Sequence, residues 1–326
     1  MDEELTTDIL MLEQLSLTQH LQPERRGRLG IGYGTATAHH GEIFQGVVEG
    51  AGGRLHRSLV SLPCHIFRSQ AIFFPAQNCK VTVEPAWKVK SCRAAQLALA
   101  RHNLDKWGGQ LQVSSNIPLR WGLGSSTSDV TATILAVGDA FGRKFNEKEI
   151  ASLAVKAEIA SDSLMFGQRT VLFAHREGLV LEDLGDTIPE LEILGFNTDL
   201  TGIGIDTMSF RPARYSWWEV EAFKPLLGLL RRAIRTQDPY LIGQVASASA
   251  SINQKYLPKP RFDCLKAIVE RVGAIGLQVA HSGTTVGLLF DPNDARTQGG
   301  VQRAQAMIAE MGFSQSCHFY TGHEGG

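Results

Sequence analysis

The chain has 326 residues, enough for two domains that share a cleft or for one large domain. Apolar residues make up 43% and charged residues 20%, which is typical of a folded globular protein. The 32 Lys and Arg nearly balance the 33 Asp and Glu, so nothing favours nucleic acid or a membrane as a partner. No apolar run approaches the roughly eighteen residues of a membrane span, and the five cysteines are widely spaced without a CxxC pair. We therefore expect a cytoplasmic protein without a disulfide framework or structural zinc.

The first segments are predicted to be a helix, a linker and a strand. Leu5, Ile9 and Leu12 favour an amphipathic helix at residues 2–20, packed on the main domain or on a partner subunit, which leaves a homodimer open. Residues 22–28 are a polar linker. Residues 31–46 are expected to form a strand that enters a tight glycine turn. Within it, the neighbours His39 and His40 suggest a metal site, but adjacent strand residues point to opposite faces and no third ligand is nearby.

A glycine-serine loop organises the middle of the chain. Strands are expected at 57–63, 65–75, 80–85 and 110–116, and a helix at 91–103. Residues 122–128, GLGSSTS, then run into a helical pattern, with Ser126 and Asp129 at a capping-box spacing. A helix N-terminus behind glycines and hydroxyls suits an anion, above all a polyphosphate, although such a loop also serves merely to cap a helix. The loop is neither a Walker A motif nor a dinucleotide fingerprint.

Two acids follow on the next predicted helix. This helix begins at the Asn146 cap, with Glu149 three residues on, and runs through Glu158. Asp162 lies four residues beyond Glu158, so both face one side if the last turn continues that far. Paired carboxylates suit phosphoryl transfer, because one can hold magnesium and the other can orient or deprotonate a hydroxyl. Two solvated acids at a helix end are the alternative.

The rest of the chain is predicted as alternating helices and strands. Residues 171–184 form a hairpin, residues 192–197 start a second domain, and helices follow at 216–237, 239–254 and 261–272. Residues 276–291 read as strand, glycine loop and strand, before a helix at 293–312 and a closing strand at 316–321.

Three motifs resemble those of a known kinase superfamily. The pattern P-x-x-x-G-L-G-S-S, from Pro118 to Ser126, resembles the phosphate loop of the GHMP kinases, named after galactokinase, homoserine, mevalonate and phosphomevalonate kinases. Residues 41–46, GEIFQG, resemble the first motif of the L-threonine kinase branch, which is associated with cobalamin biosynthesis. Residues 280–287 resemble the third motif, Ala-x-Ser-Gly followed by a glycine. The spacing from Glu158 to Asp162 is one residue longer than in that branch and lacks its proline.

The resemblance implies an α+β (mixed α/β), two-domain GHMP kinase fold with the active site between the domains. After an N-terminal extension and linker (1–28), a ribosomal-protein-S5-like ATP-binding domain covers 29–187 and a ferredoxin-like domain covers 188–326. It also implies that ATP and Mg²⁺ are used to phosphorylate the side-chain hydroxyl of free L-threonine, a small-molecule substrate. A kinase of another small alcohol, such as homoserine, a sugar or a mevalonate-like acid, is one alternative. A nucleotide-binding regulator without catalysis is the other.

The same resemblance assigns roles to residues of this sequence. Asp162, Ser126 and Glu158 are the expected catalytic residues, and Ser126 and Glu158 the expected magnesium ligands. Glu42, Gln45, Ser282 and Gly283 are expected to hold the acceptor. For Glu42 the alternative is a buried carboxylate that only stabilises the domain. The nucleotide is expected at Pro118, Gly122, Leu123, Gly124, Ser125, Ser126 and Thr127.

Overall fold

The computed structural model describes residues 29–185, 187–201 and 213–322. The helix expected at residues 2–20 and the linker at 22–28 lie outside these ranges. The described residues form a mixed α/β fold of ten strands and seven α-helices. The strands are β1 (Gly32–Glu49), β2 (Leu55–Ala76), β3 (Val81–Glu84), β4 (Gly108–Ser115), β5 (Thr170–Ala174), β6 (Leu179–Gly185), β7 (Glu192–Asn197), β8 (Gly276–Val279), β9 (Thr285–Phe290) and β10 (Ser316–Tyr320). The helices are α1 (Val89–Arg101), α2 (Ser125–Ala140), α3 (Glu147–Glu158), α4 (Trp217–Thr236), α5 (Pro239–Asn253), α6 (Phe262–Val272) and α7 (Thr297–Glu310).

The strands join into one sheet in the order β10-β7-β9-β8-β1-β2-β4-β3, and the β5–β6 hairpin branches from β2. The expected hairpin at 171–184 is therefore confirmed. Strand β1 pairs with β2 along most of its length and with β8 at one position, Glu42 opposite Val279. The middle of β1 is thus the place where strands from the two halves of the chain meet.

The prediction of a tight glycine turn in this segment is wrong, because β1 continues through Gly41 as one strand of 18 residues. Gly41 has a φ of +72° at an irregularity where the register with β2 shifts between His39 and Glu42. A Cβ at Gly41 would lie 1.9 Å from the side-chain oxygen of Gln278, so only glycine fits this bulge. A bulge redirects the side chains beside it, here those of His39 and Glu42.

The helices cover the sheet over three hydrophobic clusters. The first is formed by α1, α2 and α3 with β2 and β4, and includes Phe73, Leu111 and Ile134. The second lies where α4 and α5 cover β1, and the third where α6 and α7 cover β7, β8 and β9. Among the helices that the structure describes, none combines the length and the apolar character that a membrane span requires.

The two predicted capping boxes have different outcomes. Asn146 accepts from the backbone of Glu149, which bonds back to the Asn146 N–H, so this box is confirmed. The box expected between Ser126 and Asp129 is wrong, because α2 already begins at Ser125. Asp129 instead accepts hydrogen bonds from Ser69 Oγ (2.6 Å) and Lys88 Nζ (2.7 Å), which tie the second turn of α2 to the sheet and to the start of α1.

Candidate active site

The glycine-serine loop lies at the wall of a cleft of about 630 Å³. Gly122 and Gly124 have φ values of +84° and +74°, and α2 starts at the next residue, Ser125. A Cβ on Gly124 would lie 2.4 Å from the His39 ring, so only glycine fits at this position. Residues 122–126, here called the phosphate loop, therefore present the N-terminus of a 16-residue helix to the cleft, as an anion site requires.

Two carboxylates meet beside the phosphate loop, although one helix does not carry both. Helix α3 ends at Glu158, because Ile159 takes a φ of +76°, and Asp162 comes from the loop that follows. The predicted end of the helix at Glu158 is confirmed, and the last turn does not continue to Asp162. Thr127 brings the acids together: its Oγ1 lies 2.8 Å from Glu158 Oε1 and 3.1 Å from Asp162 Oδ2.

Glu158 has the surroundings of a cation ligand. Ser126 Oγ donates to Glu158 Oε2 at 2.6 Å, and Lys90 Nζ lies 3.9 Å from the same oxygen. Burial, together with the nearby charge of Asp162, raises the pKa of Glu158 to about 7, although the Ser126 hydrogen bond opposes the shift. A divalent cation would relieve this cost. The oxygens of Ser126 and Glu158 therefore fit the preferences of Mg²⁺.

Asp162 is held in its charged form by a buried ion pair. His39 Nε2 lies 3.1 Å from Asp162 Oδ2, and the His39 side chain is fully buried. Burial opposes the pairing, but the Asp162 carboxylate nonetheless raises the pKa of His39 to about 9. Burial likewise opposes ionisation of Asp162, yet the His39 charge holds the pKa of Asp162 well below its usual range. Asp162 is thus a good hydrogen-bond acceptor and a weak base.

Glu42 lies one layer behind the cleft. Its carboxylate accepts from His281 twice, from the backbone N–H at 2.9 Å and from Nδ1 at 2.7 Å. Its side chain is 1% exposed, whereas that of His281 is 16% exposed and lines the cleft. The expected contact between Glu42 and the acceptor stays a prediction, because in this arrangement His281 stands between the carboxylate and the cleft.

The surroundings of His39 and His40 differ from those that the sequence predicts. His40 points into the core, where Gln278 Nε2 lies 2.5 Å from its Nδ1. His39, however, does have neighbours with ligand atoms: atoms of His39, Glu42 and Asp162 all lie within 4.8 Å of one another. The premise that no third ligand is near His39 is therefore wrong. In this structure His39 pairs with both carboxylates, and Glu42 pairs with His281 as well.

The other expected site residues fall into two groups. Pro118, Gln45 and Ser282 line the cleft, as do Ser125, Ser126 and Thr127. Gly283 instead packs on the phosphate loop, where a Cβ would lie 2.4 Å from Gly122 Cα, and the Leu123 side chain is buried in the core. These positions support the loop's shape.

Sequence reasoning missed His39 and His281 as parts of the site. His39 was weighed only as a metal ligand, and His281 occupies the variable position of the third motif. It also missed the basic residues that line the cleft, which are Arg57, Lys90, Arg120 and Arg176. The sequence did offer a signal for these residues, because a histidine or an arginine lies in or beside each of the three motifs: His39, Arg120 and His281.

Comparisons with known proteins agree with this geometry. Residues 89–167, from α1 to just beyond Asp162, match the family model of the GHMP kinases N terminal domain. An L-threonine kinase of Citrobacter freundii is 35% identical over 188 residues, which are 56% of this chain and 63% of that protein. An L-threonine kinase of Salmonella typhimurium is 31% identical over 206 residues, 63% of this chain and 66% of that protein. The matches thus span just under two thirds of these relatives.

Solved structures show the fold over nearly the whole chain. A homoserine kinase from Cytophaga hutchinsonii superposes with a TM-score of 0.66 at 16% identity, covering 93% of this chain and 96% of that one. A mevalonate kinase from methicillin-resistant Staphylococcus aureus gives a TM-score of 0.57 at 16% identity, covering 89% and 98%. The expected fold class is confirmed. Residues 89–167 are therefore similar to the GHMP kinases N terminal domain, and the chain shares the fold of the homoserine and mevalonate kinases.

Proposed function

We propose that this protein transfers the γ-phosphoryl group of ATP to the side-chain hydroxyl of free L-threonine, with Mg²⁺ as cofactor. The observation that carries the proposal is the convergence of three parts on one cleft. These parts are the phosphate loop at the N-terminus of α2, the Ser126–Glu158 pair and the ionised Asp162. The two relatives named L-threonine kinase, 35% and 31% identical, support threonine as the acceptor.

The phosphate loop and the cation site have different roles in binding ATP. Backbone N–H groups at the start of α2 and the hydroxyls of Ser125 and Ser126 bind the phosphate oxygens. The residues that would hold Mg²⁺ are Ser126 and Glu158. When bound, the ion neutralises charge on the phosphates and helps to align them. Lys90 and Arg120, which also line the cleft, add positive charge for the same purpose.

Asp162 orients the attacking hydroxyl. The transition state of phosphoryl transfer is loose, so little proton abstraction is needed before the new bond forms. An acceptor that stays ionised at every working pH can hold the hydroxyl hydrogen and aim the oxygen at the phosphorus. Asp162, paired with His39 at 3.1 Å, meets this description better than that of a strong base.

A substrate screen tests the proposal. ATP consumption is measured with free amino acids, homoserine, simple sugars and mevalonate, and the phosphorylated product is identified by ³¹P NMR. We expect the highest kcat/KM with L-threonine. A higher value with homoserine or a sugar would assign the protein to another small alcohol. Nucleotide binding without turnover of any alcohol would assign it to the regulators.

Some expectations from the sequence go beyond the contacts described above. The cytoplasmic location, the homodimer, the supply of phosphothreonine to cobalamin biosynthesis and the domain boundaries at residues 28 and 187 stay predictions.

A further inference from the structure

We infer that His281 is a further catalytic residue, whose Nε2–H donates a hydrogen bond to an anionic oxygen at the reaction centre. That oxygen belongs either to the phosphoryl group in transit or to a carboxylate of the acceptor. The inference deepens the proposed kinase function and rests on it.

The orientation of the His281 ring is fixed by Glu42. The carboxylate accepts from the backbone N–H of His281 at 2.9 Å through one oxygen and from Nδ1 at 2.7 Å through the other. Because Glu42 is buried and the two ring nitrogens lie on opposite sides of an imidazole, Nε2 is directed away from Glu42 towards the cleft. This is the arrangement in which a buried carboxylate positions a functional histidine.

His281 is also held at the correct place along the phosphate loop. The β8–β9 loop (residues 280–284) packs directly on it: Trp121 O accepts from the N–H groups of Thr284 (3.0 Å) and Thr285 (3.1 Å). Gly283 has no room for a Cβ beside Gly122. On the other side, His281 Nδ1 lies 3.8 Å from Asp162 Oδ1. The ring therefore lies between the group that binds phosphates and the group that would align the hydroxyl.

The charges around His281 favour the imidazolium form. Glu42 and Asp162 are the carboxylates that face it, while the His39 ring, 6.4 Å away, is a competing cation. His175, 5.6 Å away, is neutral because burial lowers its pKa to about 3, and Lys259 Nζ is engaged by Gly283 O. Burial works against the charge, but Glu42 and then Asp162 raise the pKa of His281 above its ordinary value.

The charge state decides what Nε2 can do. A neutral ring that donates Nδ1–H to Glu42 would offer a lone pair at Nε2, whereas the imidazolium offers a second N–H. A positively charged donor in a mostly enclosed site binds a phosphoryl or carboxylate oxygen strongly. His281 also differs from Asp162 in this respect, because Asp162 can only accept.

Kinetics of two variants locate the anionic oxygen. His281→Ala should lower kcat/KM for threonine by about a hundredfold, as the loss of one oxyanion donor does. His281→Gln, which keeps an N–H donor, should recover part of it. A fall in kcat at unchanged KM assigns the donor to the phosphoryl group. A raised KM for threonine, with loss of the preference over 1-aminopropan-2-ol, assigns it to the acceptor's carboxylate.

The control is another histidine–glutamate pair far from the cleft. His318 Nε2 lies 2.7 Å from Glu192 Oε1 at the β10–β7 edge, so His318→Ala breaks a pair of the same length. We expect wild-type kinetics from it. Wild-type kinetics from His281→Ala, or an equal loss in both variants, overturns the inference.

An NMR titration of the ligand-free protein separates this inference from the proposed function. The His281 resonance, assigned through His281→Gln, should titrate above 6.5, and Glu42→Gln should lower its midpoint. A midpoint below 6.5 makes Nε2 an acceptor at neutral pH and overturns the donor role, even if the protein is a threonine kinase. If the wild-type protein phosphorylates no alcohol, the proposed function fails, and the catalytic role of His281 fails with it.

Discussion

Asp162 and His39 form a buried pair in which each partner fixes the charge of the other. The pair explains why an acid next to the N-terminus of α2 stays ionised although it is only 6% exposed. An ionised acceptor can align a hydroxyl, and a neutral amide does so less well because it carries no charge to strengthen the hydrogen bond.

We therefore expect Asp162→Asn to lower kcat with threonine at least about a hundredfold. The affinity for Mg²⁺ and nucleotide, measured by calorimetry, should stay close to that of the wild type, because the phosphate loop and Glu158 are unchanged. Asp183→Asn, which breaks the exposed pair with Arg169, is the matched control. Near-full activity of Asp162→Asn would show that the site works by positioning of ATP alone.

His39 should make the stability of the protein depend on pH in the alkaline range. Its pKa is raised from 6.5 to about 9, so the folded state holds a proton that the unfolded state has lost. The resulting stability is fully present below about pH 6.5 and is lost as pH rises through about 9. The difference in unfolding free energy between wild type and His39→Asn should therefore shrink over this range, as urea titrations at several pH values can measure. A constant difference would mean that His39 is not the titrating group.

At this scale the sequence predicts some of the site and not the rest. The phosphate loop, Glu158 and Asp162 can be picked out as candidates from the sequence, because each belongs to a short pattern of neighbouring residues. The partnership of Glu42 with His281 joins residues 239 positions apart. Local periodicity contains no information on such a contact, and it depends on a bulge at Gly41 that the sequence suggested was a turn.

At the scale of elements, the site is the meeting point of two loops. Trp121, the residue before the phosphate loop, accepts backbone hydrogen bonds from the end of the β8–β9 loop, and Gly122 faces Gly283 where the two backbones touch. Helix α3 begins after the Asn146 cap and ends at Glu158, as the sequence predicts. The positive φ of Ile159 was not predictable, because sequence patterns assign such a position to glycine or asparagine.

Two glycine variants test whether this loop contact matters. Gly122 and Gly273 both have positive φ, +84° and +75°, but a Cβ at Gly122 would lie 2.7 Å from Gly283 Cα, whereas Gly273 has open space around it. Gly273→Ala should cost about 1–2 kcal/mol of stability and leave turnover intact. Gly122→Ala should cost more and lower turnover, because both backbones must shift. Urea unfolding and steady-state kinetics give both quantities. Equal costs and equal turnover in the two variants would show that the contact is not needed.

At the scale of the whole molecule, the sheet is continuous from β10 to β3. The buried His39 and Glu42 lie on β1, where the two halves of the chain meet. The sequence predicts the order of these elements well, because each has a strong local pattern. It does not predict that one strand, β1, would serve both halves, since strand pairing over more than two hundred residues is set by tertiary packing. Among the buried acids of the site, Glu158 has a raised pKa, so its ionisation at neutral pH costs stability.

This leads to a prediction about magnesium and stability. The pKa of Glu158 is raised from 4.5 to about 7, so the folded state keeps a proton that the unfolded state loses. The stability linked to Glu158 is therefore present below about pH 4.5 and is lost as pH rises through about 7. Glu158→Gln has no such proton. Relative to wild type, it should gain on the order of 2–3 kcal/mol between pH 4.5 and 8 in metal-free buffer.

Adding Mg²⁺ in the presence of ADP should make the wild type more stable than Glu158→Gln. A ligand that binds only the folded state stabilises it by mass action, so the wild type should gain unfolding free energy at pH 8 and Glu158→Gln should gain much less. Glu192→Gln, a buried carboxylate at the far edge of the sheet, should respond to Mg²⁺ as the wild type does. If Mg²⁺ stabilises Glu158→Gln as much as the wild type, the ion binds elsewhere. The cluster of His39, Glu42 and Asp162 is then the site to test next, because its ligand atoms lie within 4.8 Å of one another.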